Sequence, residues 1–360
     1  MQLFAFCRPG FESECQSELE AAVIQKGGGV DGVWRTDPGY VVFKTNNPDD
    51  ASVLAQKISF NQLVFTRHLL VGDDGVEPLS PEDRLTPLCL RLESLATGVG
   101  PFSELRLGWP DDEKGRVLAP LGRALHERIL NCLQQNYIYD PQGGGVRAEV
   151  VFLTSVQALV GYSLPYNSSN KPMGIVRLRS PHNAPSRSAL KLLEALEWLT
   201  QPGNSHPVRA HSGQTAVDLG AAPGGWSWVM AQRGVRVTAV DRADLADQVT
   251  ASKMITHIRE NGFHFRPQVI PHWLLCDIVD KPRKVADLIA RWGVHGWCRN
   301  ALFNLKLPMK KRHEEVLLCR ARIVDTLSEN RIPFHLQFRQ LYHDREEVTG
   351  ILRLGKQGSN

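Results

Sequence analysis

The sequence predicts a two-part α/β protein: a doubly wound parallel sheet over residues 188–354, preceded by smaller α+β units over residues 1–165. Three observations carry this. Apolar runs at 216–220, 235–241, 273–277 and 301–306 have strand character, and segments of helical spacing at 226–233, 284–291 and 313–329 separate most of them. The first of these strands runs into Gly220-Ala221-Ala222-Pro223-Gly224-Gly225-Trp226, a tight turn that opens a helix. Ahead of them, residues 166–187 are rich in turn formers and poor in apolar side chains, which marks a linker.

Taken in order, residues 3–7 read as a strand, 11–26 as a helix with Phe11, Cys15, Leu19, Ala22 and Val23 on one face, and Gly27-Gly28-Gly29 as its end. A strand at 40–44, a helix at 49–57 and a strand at 63–71 complete a small α+β unit. Glu12, Glu14, Glu18 and Glu20 are expected on the solvated face of the first helix. Helices at 85–97 and 121–135, strands at 103–107, 146–152 and 157–162, and a loop at 111–115 form a second unit. After the linker, residues 188–200 are helical, with Leu190, Leu193, Leu196 and Leu199 as the apolar stripe and Lys191 off it. The runs 334–338 and 348–353 close the chain as an antiparallel hairpin, and 355–360 is a tail.

No apolar run reaches the length of a membrane span, and the N-terminus lacks the pattern of a signal peptide, so a cytoplasmic protein is expected. The seven cysteines are scattered and never spaced C-x-x-C, which indicates neither a disulfide framework nor a metal site. Charge is uneven. Residues 1–165 hold 14 Lys+Arg against 21 Asp+Glu, a net −7, while residues 166–360 hold 28 against 17, a net +11. A polyanionic partner is expected mainly on the C-terminal half. Between Tyr166 and Lys191 there are five cations and no acid, so the linker itself can meet phosphates. A solvated basic surface is the alternative.

Gly224 and Gly225 remove two Cβ atoms where a backbone must approach something closely. The glycines do not fall as G-x-G-x-x-G, and Pro223 lacks an N–H that a pyrophosphate cradle uses, which points away from a dinucleotide. Asp241 ends the next strand about twenty residues on, where such sheets place a carboxylate against ribose hydroxyls. A nucleoside-bearing ligand fits. A plain strand-turn-helix without ligand is the competing reading.

Four charged residues fall at or beside strand ends where catalytic groups gather: Lys191, Asp277, Lys306 and Glu347. Singly, each is an ordinary surface charge or cap. Together with the D-L-G-x-x-P-G-G-W turn, Cys276-Asp277, Phe303-Asn304-Leu305-Lys306-Leu307-Pro308 and Arg345-Glu346-Glu347-Val348, they carry a resemblance to ribose 2′-O-methyltransferases of the Lys-Asp-Lys-Glu type. More closely, the chain resembles the bacterial 23S rRNA cytidine 2′-O-ribose methyltransferase family (RlmM-like), with further matches from Cys7-Arg8-Pro9-Gly10-Phe11-Glu12 through Leu341-Tyr342-His343-Asp344. The resemblance implies a ferredoxin-like subdomain at 1–75, a THUMP-type RNA-docking subdomain at 76–165, a basic linker at 166–187 and a Rossmann-like S-adenosylmethionine methyltransferase domain at 188–354. It implies S-adenosylmethionine as cofactor and a cytidine of 23S rRNA as substrate, reached before the large subunit is complete. No metal, membrane or protein partner is implied.

The chemistry has its own logic. Methylating a ribose 2′-OH requires taking a proton from a weakly acidic alcohol while the methyl donor lies in line. Lysine serves only if burial or a second cation lowers its pKa of roughly 10.4. Lys306 is the expected general base, Lys191 the second cation, and Asp277 and Glu347 the groups that orient both amines. Ala222, Pro223, Gly224 and Gly225 are expected around the methionine part, Asp241 at the ribose, Asn261 at the adenine amino group, and Asp277 at the methyl-donor end, with Gly220 and Trp226 also among the cofactor contacts. The resemblance adds Ser188 to the cofactor contacts.

Base amino methylation goes with an Asp/Asn-Pro-Pro-aromatic turn, and here that turn is Asp277-Ile278-Val279-Asp280. Pyrimidine C5 methylation needs a cysteine nucleophile; Cys276, on a buried strand, is expected in the core. A non-catalytic RNA-binding or ribosome-assembly factor with this fold is the alternative from another class.

Overall fold

The computed structural model describes residues 1–27, 30–73, 78–200 and 208–355. The chain forms two compact units, Met1–Ile175 and Val176–Asn360.

The first unit contains β1 (Gln2–Phe6), α1 (Glu12–Gly27), β2 (Gly32–Asp37), β3 (Tyr40–Thr45), α2 (Pro48–Lys57), β4 (His68–Gly72), α3 (Leu85–Val99), β5 (Glu104–Gly108), α4 (Glu113–Gln135), β6 (Arg147–Thr154) and β7 (Gln157–Ser163). The first six elements run β-α-β-β-α-β with strand order β2-β3-β1-β4, the ferredoxin-like arrangement. The sheet does not stop there: β4 pairs with β7, and β6 and β5 continue it, so both front segments share seven strands. The boundary between the two units falls inside the expected linker. Asn167 binds back, donating to the carbonyls of Ala55 and Ile58 and accepting from the Phe60 N–H at 2.9 Å.

Three local expectations need correction. Residues 63–67 are not strand, and only His68–Gly72 pairs with β1. The reason is the second correction: Glu18 is buried, and its carboxylate accepts the N–H groups of Val64, Phe65 and Thr66 and the Thr66 hydroxyl. A side chain has taken the donors a ladder would use. Of the glutamates expected in solvent, Glu14 is also buried, and Glu12 accepts from the N–H groups of Gly10 and Gly39. Finally, α4 begins at Glu113 inside the expected loop, because Asp112 caps it by accepting from the Gly115 N–H at 2.9 Å. The short strand β2 was not foreseen; its residues alternate on an exposed edge with little apolar signal. Gly28 and Gly29, expected to end α1, lie outside the described residues.

The second unit contains α5 (Ser188–Leu199), β8 (Thr215–Leu219), α6 (Gly225–Ala231), β9 (Arg236–Val240), α7 (Asp247–Thr250), β10 (Ile255–Ile258), β11 (Trp273–Cys276), α8 (Pro282–Val294), β12 (Asn300–Lys306), α9 (Arg312–Glu329), β13 (Phe334–Arg339) and β14 (Glu347–Leu354). Strand order is β10-β9-β8-β11-β12-β14-β13. The first five strands are parallel, and β14 runs antiparallel to both neighbours, so the terminal hairpin is inserted into the sheet. One core lies between the sheet and α5–α6, built from Leu192, Trp198, Trp226, Met230, Val237, Leu275, Leu302 and Ile351. The buried side of α5 is Ala189, Leu192, Ala195, Leu196 and Leu199; Leu190 and Leu193, expected in the stripe, are only half-buried. This rotation turns Lys191 toward the strand ends. Cys276 is in the core, as expected. β10 was missed because four half-exposed residues give almost no pattern. Residues 356–360 of the expected tail lie outside the described residues.

Candidate active site

The order β9-β8-β11-β12 reverses direction of winding between β8 and β11, and the carboxyl ends of those two strands flank the crevice where such sheets take ligands. β8 ends in the glycine-rich turn; Asp277 directly follows the last residue of β11. The Asp277 N–H donates to Leu219 O at 3.3 Å, so the two halves of the site are joined through the backbone.

At the turn, Gly220 has φ +73° and Gly224 φ +109°, conformations that L side chains rarely adopt. A Cβ at Gly220 would lie 2.7 Å from Ile278 Cγ1, and one at Gly224 2.7 Å from Val249 Cγ2. At Gly225 a Cβ would collide with Ser188 Oγ. Ser188 therefore sits against the start of α6, and its carbonyl accepts from Trp226 Nε1 at 3.0 Å. The Ala222–Pro223 bond is cis. Asp241 Oδ2 accepts the Ala222 N–H at 3.0 Å and Oδ1 the Ala243 N–H at 2.9 Å, which ties the carboxylate to the turn and leaves lone pairs on both oxygens. Asn261 is brought near by Gly262, whose Cβ direction points at Leu219 and Ile278. Asn261 Oδ1 accepts from the Phe263 N–H at 3.0 Å, so part of the acceptor expected for adenine closes its own turn.

Beneath the turn, Asp218 is buried. Ser227 Oγ donates to its Oδ2 at 2.7 Å, while Oδ1 has no hydrogen-bond partner among the described residues. Burial, despite the Ser227 hydrogen bond and with the Asp277 charge adding to it, pushes its pKa up to about 7. An unsatisfied buried oxygen under a turn cleared of Cβ atoms fits a cofactor that carries an ammonium and ribose hydroxyls, as S-adenosylmethionine does.

The second half is an ion cluster. Lys306 Nζ donates to Asp277 Oδ1 at 2.7 Å and to Glu347 Oε2. Lys191 Nζ pairs with Glu347 Oε1 and stands 3.9 Å from Asp277 Oδ2. Two cations and two anions thus share one cleft, as the sequence predicted. One expectation fails. Burial works against the Lys306 charge, but Asp277 and Glu347 outweigh it and hold its pKa above the ordinary lysine value rather than lowering it.

Sequence reasoning missed the residues behind this cluster. Glu194, one turn after Lys191 on α5, accepts from the N–H groups of Tyr342 and His343 and pairs with His343 Nδ1 at 2.7 Å. Asn304 and Thr349 lie two residues before Lys306 and two after Glu347. Period-two counting along the two strands could have found them.

A mostly parallel sheet with a carboxylate-tethered glycine turn at its switch point and a lysine–carboxylate cluster beside it defines a Rossmann-type methyltransferase domain. Residues 184–313 match the FtsJ-like methyltransferase family, and residues 1–70 match the RlmM ferredoxin-like domain. Proteins named ribosomal RNA large subunit methyltransferase M are similar over nearly the whole chain: 43% identical in Edwardsiella ictaluri, covering 98% of this chain and 94% of that one, and 40% identical in Methylococcus capsulatus, covering 98% of each. The relative in Cellvibrio japonicus is 40% identical, covering 98% of this chain and 99% of its own. The chain belongs to the ribosomal RNA large subunit methyltransferase M family.

Proposed function

We propose that this chain transfers a methyl group from S-adenosylmethionine to the ribose 2′-oxygen of a cytidine in 23S rRNA, before the large subunit is complete, with Lys306 as general base. The observation that carries it is the placement of Lys306 Nζ between Asp277 and Glu347, one backbone hydrogen bond away from the glycine turn. When bound, S-adenosylmethionine supplies an electrophilic methyl and a sulfonium charge. Ala222, Pro223, Gly224 and Gly225 would hold the methionine part, Asp241 the ribose and Asn261 the adenine, with Gly220, Trp226 and Ser188 completing the cofactor contacts. Lys306 sheds a proton to solvent, then accepts the proton of the 2′-OH at Nζ. Asp277 and Glu347 aim that amine, and Lys191 neutralises the carboxylate charge that would otherwise keep Lys306 protonated.

Residues 1–165 serve as the RNA-docking region, with the ferredoxin-like part followed by a THUMP-type part, and the basic stretch 166–191 and the positive C-terminal half meet the phosphates. We place the enzyme in the cytoplasm, with the ribosomal RNA it would act on; among the described residues no helix is long and apolar enough to cross a membrane.

Incubation of the chain with labelled S-adenosylmethionine and unmodified large-subunit rRNA, followed by mapping of the label, tests the proposal. A 2′-O-methylcytidine in the wild type and loss of at least about a hundredfold in rate in Lys306→Met are expected. Label on a base, or none, supports instead base chemistry or a non-catalytic RNA-binding factor.

A further inference from the structure

Lys306 and Glu347 are the outer rung of a two-rung ladder. One step inward on the same face of the sheet, Asn304 and Thr349 oppose each other in the β12–β14 register. Both are fully buried. Asn304 Nδ2 donates to Asp277 Oδ1 at 3.0 Å, the same oxygen that accepts from Lys306 Nζ at 2.7 Å. The amide orientation is settled by chemistry, because an ionised carboxylate only accepts, so the NH₂ must face it. The Asn304 oxygen then faces Thr349 Oγ1 at 2.9 Å and takes that hydroxyl's single proton. Thr349 Oγ1 also lies 3.0 Å from Asp344 Oδ2. With its proton committed to Asn304, Thr349 can only accept there, so a proton on Asp344 completes the chain. Burial and the Glu347 charge raise the Asp344 pKa well above the usual carboxylate range, which favours that proton, and the Leu341 N–H donates to the same Oδ2 at 2.9 Å. Every contact from Asp344 through Thr349 and Asn304 to Asp277 then has one donor and one acceptor.

We infer that Asn304, fixed by Thr349, is a positioning residue of the methyl transfer: its amide shares Asp277 Oδ1 with Lys306, orients that carboxylate and weakens its hold on the lysine proton. This rests on the reading of Lys306 as general base. A hydrogen bond to a carboxylate stabilises its charge and makes it a poorer acceptor for a second donor. Without the amide, Asp277 concentrates its charge on Lys306, which stays protonated to higher pH. The other groups facing Lys306 are Glu347 on β14 and Lys191 on α5. Behind these stand Asp344 before β14, Glu194 on α5, and the buried Asp218 and Cys276 on β8 and β11.

The test is steady-state methylation of a protein-free large-subunit rRNA transcript by the full chain, with kcat and KM measured across pH. Asn304→Ala and Thr349→Val are expected to lower kcat by about tenfold or more, to leave both KM values within about twofold, and to shift the rising alkaline limb of kcat upward by about half a pH unit or more. Thr349→Ser, which keeps the hydroxyl, is expected to recover most of the loss. Should Asn304→Ala not fold, the valine and serine variants carry the same test, since one keeps the shape of threonine and the other its proton. Wild-type kcat with an unmoved pH limb in Asn304→Ala overturns the inference, as does a serine variant no better than valine. Lys306→Met run in parallel separates the two readings. If it methylates normally, the base assignment fails; if it is dead while Asn304→Ala is normal, only the positioning role fails.

Discussion

Lys306 and Glu347 are cross-strand partners: the last residue of β12 opposes the first of β14, and the ammonium donates to the carboxylate. The same carboxylate holds Lys191 through its other oxygen. Glu347 is 6% exposed, the most buried of the four charged residues, so it anchors the cluster while the lysines face the cleft.

Glu347→Gln removes one of the two anions that raise the Lys306 pKa. With less anionic charge the lysine gives up its proton at lower pH, so the rising limb of kcat should move down. The maximal rate should fall by about tenfold or more, because the amine is aimed less well. A pH–rate profile of the variant checks both; a limb that stays in place counts against the assignment.

In the wild type the folded-state pKa of Lys306 lies above its ordinary value, so the amine form is scarce at neutrality. Methylation at saturating cofactor and RNA should rise with pH from 7 to 9, by about tenfold per unit while proton removal limits the rate. For the same reason the cluster's contribution to stability is complete below the unfolded lysine value and is lost only as pH rises through the folded one. A flat profile over that range would point to another base.

Asp218 ionises near pH 7 in the fold, far above a free carboxylate, so its native form is favoured when neutral. Stability from this group is fully present below the unfolded value of 3.8 and is lost as pH rises from there to the folded value of about 7. Asp218→Asn should therefore gain on wild type as pH goes from 4 to 7 and hold that margin above 7, by up to about 4 kcal/mol. Calorimetric binding should show weaker uptake of S-adenosylmethionine, since the oxygen without a partner is the one the ligand would satisfy.

Gly220→Ala places a methyl group against Ile278 in a positive-φ conformation that costs roughly 1–2 kcal/mol by itself. Affinity for S-adenosylmethionine should drop by about tenfold or more. Gly213 has φ +87° and nothing within 4 Å of a Cβ, so Gly213→Ala should cost stability of similar size and leave cofactor affinity alone. Equal losses of affinity in the two would reduce the turn to a generic stability effect.

Glu18→Ala removes the acceptor for three backbone N–H groups and the Thr66 hydroxyl inside the first unit. Buried donors left unmatched cost about 1–3 kcal/mol each, so the variant should lose several kcal/mol in chemical denaturation, or fail to fold. A loss of only a few tenths would mean that water replaces the carboxylate.

The sequence by itself determined the parallel sheet, the glycine turn and the four charged residues, because these rest on local signals: apolar strand runs, missing Cβ atoms, and acids and lysines at strand ends. Tertiary structure decided the rest. Glu18 looked like a solvent-facing helix charge, and only the strand-free segment folded over it shows why it is buried. Asn304 and Thr349 looked like polar residues in ordinary strands, and only the antiparallel register of β14 against β12 makes them partners across 45 positions. The Lys306 pKa went opposite to expectation because it depends on two carboxylates from different strands at hydrogen-bonding distance. Charge interactions fall off over a few ångströms, and sequence spacing carries no measure of that distance.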